Sequence, residues 1–355
     1  MLMTPGPTAV PRQVREAMSR ELVNPDVDPA FQEIYGEVTE GLASVYGTDS
    51  QVVVLGGEGI LGLEAAIASL VEPGTEVICL SNGLYGDGFA DFVESYGGEA
   101  TLVSAADTEP LPVAEFERRL DEGAYDVATM VHCETPTGTL NRIEPALDAL
   151  ADRDVTSVVD AVSSLGGTPV PTEKIDVCLG ASQKCFSAPP GLTTAAISDA
   201  AWDAMEETDN QSLYANFLPW RDTEDGFPYT HLTTEVVALG ESLSLLHEEG
   251  LDAVYGRHER AAERCRERGE ELGLEPYPNA DGDRSAGERS SPTVTAFSVP
   301  GRAEEIQERM RTDHDVTVAT GLANHADDLL RIGHMGHNAR VDRVDAAMDA
   351  LAAVL

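Results

Sequence analysis

The sequence predicts an α/β fold, with a large domain built on a mostly parallel sheet and a smaller α+β domain at the C-terminal end. Three observations carry this. Short apolar, β-branched runs alternate with amphipathic stretches over the first half of the chain, the pattern of strands joined by right-handed helical crossovers. From about Thr234 that alternation gives way to long helical stretches with isolated strands. A length of 355 residues also exceeds what one hydrophobic core usually serves, so two structural domains are expected, divided at 235/236.

Taken in order, Arg12 to Arg20 and Phe31 to Tyr46 carry helical periodicity, and Gln51 to Leu55 is a β-branched strand. Leu61 to Leu70 is a helix, Glu76 to Leu80 a strand, Leu84 to Ser95 a helix and Glu99 to Val103 a strand. Val113 to Glu122 is a helix and Val127 to His132 a strand. Val155 to Val159 and Ile175 to Leu179 are apolar runs of the kind buried on both faces of a parallel sheet. Beyond Thr234, Val236 to Glu249 and Leu251 to Leu272 are long helices and Thr293 to Val299 a strand. Glu304 to Thr312 is a helix, Leu329 to Ile332 a strand and Val341 to Val354 a closing helix. Asn279 to Ser291, rich in Asp, Gly, Arg and Ser, is a surface loop.

Composition narrows the class. Apolar residues make up 42% of the chain, fitting a globular protein, and no run approaches the roughly 18 apolar residues of a membrane span. The N-terminus lacks a basic, apolar, cleavable signal, so a cytoplasmic location is expected. Five cysteines show neither CxxC nor metal spacing, which points to reduced, buried thiols and no metal site. The net charge of −40 is spread over the helices and repels nucleic acid and anionic membranes. Such self-repulsion needs screening, and with only two lysines in the chain a salt-rich, halophile-like cytoplasm is expected.

The most informative stretch runs from Val158 to Gly191. Asp160 falls at the carboxyl end of one buried strand, where open α/β sheets bind ligands. Lys184 follows the next strand, in Gly180-Ala181-Ser182-Gln183-Lys184, and is held before the Pro189-Pro190-Gly191 turn. A lysine amine able to hold an aldehyde as a Schiff base, paired with an acid able to keep a pyridine nitrogen protonated, suggests pyridoxal phosphate chemistry. Gly56-Gly57-Glu58-Gly59-Ile60, between a strand and a helix, supplies a glycine-rich turn and a helix N-terminus of the kind that holds phosphate.

These segments carry a resemblance. Asp160-Ala161-Val162-Ser163-Ser164-Leu165-Gly166-Gly167, Ser182-Gln183-Lys184 and Ala188-Pro189-Pro190-Gly191 resemble the class V aminotransferases, within them the alanine–glyoxylate and serine–pyruvate group. The likeness runs from Thr4-Pro5-Gly6-Pro7-Thr8 to Leu330-Arg331-Ile332-Gly333. It implies the fold type I architecture of pyridoxal-phosphate-dependent transferases, with residues 1–20 as an arm over the active site, 21–235 as the cofactor-binding domain and 236–355 as the small domain. It also implies a homodimer with shared sites, a small amino acid as donor and a 2-oxo acid such as glyoxylate or pyruvate as acceptor.

Residue by residue, the resemblance implies that Lys184 carries the cofactor and Asp160 faces its ring nitrogen. Tyr85 matches the aromatic that stacks on the ring, Thr135 a hydroxyl near the cofactor, and Gln183 a further contact. Arg331 matches the clamp on the substrate carboxylate, with backbone around Gly6 closing over it. Glu58, Gly59 and Ile60 stand in the phosphate turn, where relatives usually place small or hydroxyl residues. The Glu58 carboxylate is therefore expected to turn away, accept a donor or meet the substrate amine. From the second subunit, Thr230 matches a phosphate-binding threonine, whereas Phe227 occupies the tyrosine position and Tyr229 is its candidate substitute. Two other readings stay open: a lyase or cysteine desulfurase of the same class, which would need a mobile-loop cysteine that the stretch from Asp313 to Arg331 lacks, and a silent cofactor-binding homologue.

Overall fold

The computed structural model describes residues 1–209, 212–279 and 289–355. In chain order the first half holds α1 (Arg12–Ala17), α2 (Pro29–Tyr46), β1 (Gln51–Gly56), α3 (Gly59–Leu70), β2 (Glu76–Ser81), α4 (Leu84–Ser95) and β3 (Glu99–Ser104). There follow α5 (Val113–Glu122), β4 (Val127–Val131), β5 (Cys133–Glu134), β6 (Thr139–Leu140), α6 (Glu144–Leu150), β7 (Thr156–Asp160) and β8 (Val177–Ala181). The sequence continues through β9 (Leu192–Ile197), α7 (Asp199–Glu207), α8 (Thr233–Glu249), α9 (Leu251–Glu271) and β10 (Val294–Ser298). It closes with α10 (Ala303–His314), β11 (Ala319–Thr320), β12 (Leu329–Gly333) and α11 (Val341–Val354).

Seven strands form the main sheet in the order β1-β9-β8-β7-β4-β2-β3. The pairs β2–β3, β2–β4, β4–β7 and β7–β8 are parallel, and only β9 runs against its two neighbours. The fold is thus α/β with a mostly parallel central sheet. Val127–Val131 and Val177–Ala181 are buried at every position, as a strand covered by helices on both faces requires. The carboxyl ends of β1, β2, β4, β7 and β8 share one edge of the sheet, and their loops build the site. Among the described residues, no helix is long and apolar enough to cross a membrane.

A second core forms around the antiparallel sheet β10-β12-β11, from Phe297, Ile306, Met310, Leu330, Ile332, Met348 and Leu351. Met3 is buried in it, and the N-terminal strand segment joins its edge through Met3 N–H to the Thr317 carbonyl at 2.8 Å. Val236, Leu239 and Leu243 of α8 pack with Phe31 and Leu42 in the core of the large sheet, whereas Ala261 and Cys265 of α9 belong to the smaller one. Packing therefore hands over within α9, downstream of the change of pattern at Thr234.

Three differences from the sequence reading have physical causes. The first helix stops at Ala17, short of Arg20, where Met18 is half-buried and Ser19 and Arg20 are exposed, so the last turn has no face to bury. β9 has the sequence Leu-Thr-Thr-Ala-Ala-Ile, too small-sided for a clear strand period, yet the turn at Pro189-Pro190-Gly191 folds it back onto β8 and β1. α7 was not read from the sequence; Ser198 caps it, its hydroxyl accepting the Ala201 N–H, and Ala201, Trp202 and Met205 form its buried face. The loop expected over Asn279 to Ser291 lies largely outside the described residues.

Candidate active site

The loop from β8 to β9 is closed on itself before any ligand is considered. The Ser182 N–H donates to the Leu192 carbonyl at 3.0 Å, the Ala188 N–H to the Ser182 carbonyl at 3.0 Å, and the Ser182 hydroxyl to the Pro189 carbonyl at 2.6 Å. This fixes the backbone from which Lys184 projects. Its Nζ donates to the Pro5 carbonyl at 3.0 Å, so the N-terminal segment lies across the lysine. Gly6, with φ of +140°, passes so close that a Cβ there would come within 2.8 Å of Lys184 Cε and Nζ. Burial lowers the Lys184 pKa below that of an ordinary lysine, with Asp160 opposing and Arg331 adding to the shift. A larger share of neutral amine is what a nucleophilic lysine needs.

Asp160 ends β7, and its Oδ1 accepts the Val162 N–H at 2.8 Å. Burial raises its pKa from 3.8 to about 6, against the pull of that N–H and of Lys184. Beside it, His132 is buried, its Nδ1 2.9 Å from the Ser164 hydroxyl, and burial lowers its pKa to about 4. It is a packed neutral histidine. The Thr135 hydroxyl bonds the Ser163 hydroxyl, and both residues line the same cavity as Asp160.

Tyr85 sits in the first turn of α4. Its N-cap, Gly83, has no side chain to accept a hydrogen bond from the first turn, and that role falls to Glu134, which accepts the Gly86 N–H at 2.8 Å and the Tyr85 N–H at 3.3 Å. Glu134 is fully buried, and burial raises its pKa to about 7. The sequence reading missed this carboxylate. Its signal was a helix start without a side-chain cap, which obliges the fold to bring an acceptor from elsewhere.

Arg331, on β12, enters from the small domain. It is 6% exposed, its Nε donates to the Thr320 carbonyl at 2.6 Å and its Nη1 to the Thr135 carbonyl at 3.5 Å. Among the described residues no carboxylate pairs with it, and burial lowers its pKa from the ordinary arginine value. A desolvated guanidinium without an acid partner is suited to an incoming carboxylate. By contrast, His325 is 2.5 Å from Asp107, and Asp327 accepts the Glu304 N–H at the start of α10 at 2.9 Å. Both residues are thus engaged with protein groups.

At the other end of the site, α3 starts at Gly59, so the Gly59 and Ile60 N–H groups have no helical carbonyl to meet, while the Leu61 N–H donates to the Glu58 carbonyl at 2.9 Å. Glu58 is the N-cap residue but makes no side-chain cap; its carboxylate instead accepts the Gln183 Nε2 donor at 3.0 Å. Of the outcomes expected for Glu58, accepting a donor is the one observed. Tyr229 lies behind this turn, its hydroxyl 3.1 Å from the Gly56 nitrogen, and Thr230 donates to Asp26 at 2.8 Å. Neither lines the chain's own cavity. Phe227 packs edge-on against Phe31 and Tyr35, at 5.1 and 4.9 Å between ring centroids.

Gly6, Glu58, Gly59, Ile60, Tyr85, Thr135, Asp160, Gln183 and Lys184 line one cavity of about 420 Å³, and Arg331 stands outside that lining, against the Thr135 carbonyl. A wider hollow of about 1360 Å³ lies at the amino ends of the strands, around Asp49, Asp126 and Asp176. It is an open surface away from the strand ends where such sheets bind ligands. The ring end of the smaller cavity has groups that fit pyridoxal 5′-phosphate: Lys184 would hold its aldehyde, Asp160 would face its ring nitrogen and Tyr85 would lie on a ring face. At its phosphate end the helix N-terminus fits and the Glu58 carboxylate departs from what a dianion requires.

The sequence profile described as "Aminotransferase class-V" matches residues 1–339. Pyridoxamine–pyruvate transaminase of Mesorhizobium japonicum is 31% identical over 98% of this chain and 90% of its own length. Alanine–glyoxylate aminotransferase of Drosophila melanogaster is 29% identical over 99% of this chain and 91% of its own. Among solved structures, ureidoglycine–glyoxylate aminotransferase of Bacillus subtilis superposes with a TM-score of 0.92 at 27% identity, covering 100% of this chain and 92% of its own. Homologues and structural neighbours named as aminotransferases support a transaminase of fold type I and imply pyridoxal 5′-phosphate as cofactor. By sequence and by fold alike, the chain belongs to the class V aminotransferases.

Proposed function

We propose that this aminotransferase moves the amino group of a small amino acid, such as alanine or serine, to a 2-oxo acid such as glyoxylate or pyruvate. The observation that carries the reading is that Lys184 and Asp160 line one cavity, while Arg331, an arginine without an acid partner among the described residues, donates to the carbonyl of Thr135 in the wall of that cavity at 3.5 Å. Relatives named for alanine, glyoxylate and pyruvate support the substrate class.

Each residue has a definable task. Arg331 binds the substrate carboxylate and so orients Cα. Lys184 Nζ, its pKa lowered by burial, accepts the proton from Cα and later returns a proton to the product side. Asp160 holds a proton at the ring nitrogen, Tyr85 packs on the ring face and Thr135 lies beside it. Pyridoxal 5′-phosphate, when bound, supplies the aldehyde that takes up the amino group and the ring that draws electrons from Cα. The segment at Pro5, Gly6 and Pro7 covers the lysine and excludes water from it.

The reading extends to a homodimer in the cytoplasm, with Thr230 and Tyr229 offered to the partner's site. Exposed apolar side chains support it: Ile60 in the cavity wall, Leu84 beside Tyr85, Leu232 against Gly56, and Tyr214 stacked on Tyr229 at 4.5 Å. The dispersed charge of −40 extends it to a salt-rich, halophile-like interior. A desulfurase reading is disfavoured because all five cysteines are buried.

The test is an assay of purified protein with alanine and glyoxylate in multimolar KCl, following pyruvate and glycine by chromatography, with serine and aspartate as alternative donors read through the glycine they form. Pyruvate formation that disappears in Lys184→Ala is the expected result. No product from any small donor would remove the proposed substrate class.

A further inference from the structure

We infer that the ring-binding cavity selects the vitamin B6 ring without its phosphate, as pyridoxal or pyridoxamine, whose 5′ arm ends in a hydroxyl. This rests on the reading that Lys184 and Asp160 hold that ring. It concerns the opposite end of the cavity, where the 5′ substituent must lie, between the start of α3 and Gln183.

The groups that face that end are mostly acceptors. The Glu58 carboxylate stands at the N-cap of α3 and lines the cavity. A helix N-terminus carries about half a positive charge, so a full carboxylate there more than cancels the attraction the helix would offer an anion. A phosphate monoester brings a charge of about −1.5 to −2 near neutral pH, and would meet a like charge in a partly desolvated pocket. The Gly59 and Ile60 N–H groups at the start of α3 can still donate to a neutral hydroxyl oxygen.

Gln183 adds an independent observation. It is 5% exposed and lines the same cavity. Its Nε2 is committed to Glu58 at 3.0 Å, which fixes the orientation of the amide, because the flipped amide would set its oxygen against the carboxylate. Its Oε1 is left buried without a hydrogen-bond partner. A buried acceptor lacking a donor is costly, and a ligand that brings an O–H relieves the cost. A phosphate dianion has no proton to give; a hydroxymethyl group has one, for Gln183 Oε1 or for Glu58. Charge and hydrogen-bond inventory thus favour the same ligand.

The test titrates the full-length protein, dialysed free of vitamers, with pyridoxal and separately with pyridoxal 5′-phosphate, reading the absorbance of the lysine-linked ring and the heat of binding. The same titrations are run on Glu58→Ser and Lys184→Ala, with circular dichroism to confirm that the variants are folded. We expect pyridoxal to bind the native chain about tenfold or more tighter than the phosphate ester, and Glu58→Ser to reverse the order. Tighter binding of the phosphate ester by the native chain would overturn the inference and leave the aminotransferase reading standing. A preference for pyridoxal that persists in Glu58→Ser would overturn the role given to Glu58. Binding of neither compound, or absorbance unchanged in Lys184→Ala, would remove the site reading itself.

Discussion

Gly6 and Lys184 constrain one another: the lysine reaches the Pro5 carbonyl only because the neighbouring residue has no Cβ and takes a φ favoured by glycine. Gly6→Ala is predicted to displace the lysine or the segment above it, lowering kcat at least about tenfold and lowering the melting temperature through the strained φ. Wild-type kcat in that variant would contradict the contact. Asp160→Asn keeps the shape of the site but removes the acid, and a loss of kcat with cofactor still bound is the expected outcome. Glu134 makes a separate prediction in pH. The folded chain holds a proton on Glu134, whose pKa is raised from 4.5 to about 7, whereas the unfolded chain has released it. Between those two values stability falls as pH rises, by on the order of 3 kcal/mol for a shift of that size. Glu134→Gln should flatten that part of the melting-temperature profile in ligand-free protein; parallel profiles would refute it. Lys184 and Asp160 were legible because each follows an unmistakable buried strand. Glu134 was not, since its partners are backbone N–H groups 48 and 49 residues away.

At the scale of elements, alternation of strand and helix was readable wherever residues were β-branched or strongly amphipathic. Leu84–Ser95 and Val113–Glu122 have the expected bounds for that reason. β9 and α6 escaped, one for its small side chains and the other because it has only seven residues with a proline near its start. The start of α4 shows how elements share a requirement. A Cβ at Gly83 would lie 2.5 Å from Glu134 Cδ, so the turn before α4 can wrap the carboxylate only as glycine. Gly83→Ala is therefore predicted to expel Glu134, destabilise the chain by about 1 to 3 kcal/mol and weaken ring binding through Tyr85. Denaturant unfolding and a vitamer titration of the same variant check both effects, and an unchanged midpoint would count against them.

Across the whole molecule, charge dominates. The acidic excess is dispersed, and the arginines are largely spent on exposed local pairs, such as Arg118 with Glu115 and Glu122. Such pairs contribute little individually and leave the long-range repulsion of a −40 chain unrelieved. Stability is therefore predicted to rise steeply as KCl is raised toward 1 M, where the Debye length falls to about 3 Å, and a flat or falling melting temperature would contradict it. The acidic excess is read directly from composition, whereas the approach of Arg331, on the small sheet, to the Thr135 carbonyl beside the large one was not a matter of composition or period. It depends on Met3 and Thr317 tying the N-terminal segment to the small sheet while Pro5 and Gly6 reach across to the lysine.

Lys184 is predicted to be the residue that binds the B6 ring. Borohydride reduction of protein saturated with pyridoxal or its phosphate ester, followed by peptide mass spectrometry, tests it most directly. The added ring mass is expected on the peptide carrying Lys184 and on no other. The mass on Lys174, the other lysine, or on no peptide at all would contradict it.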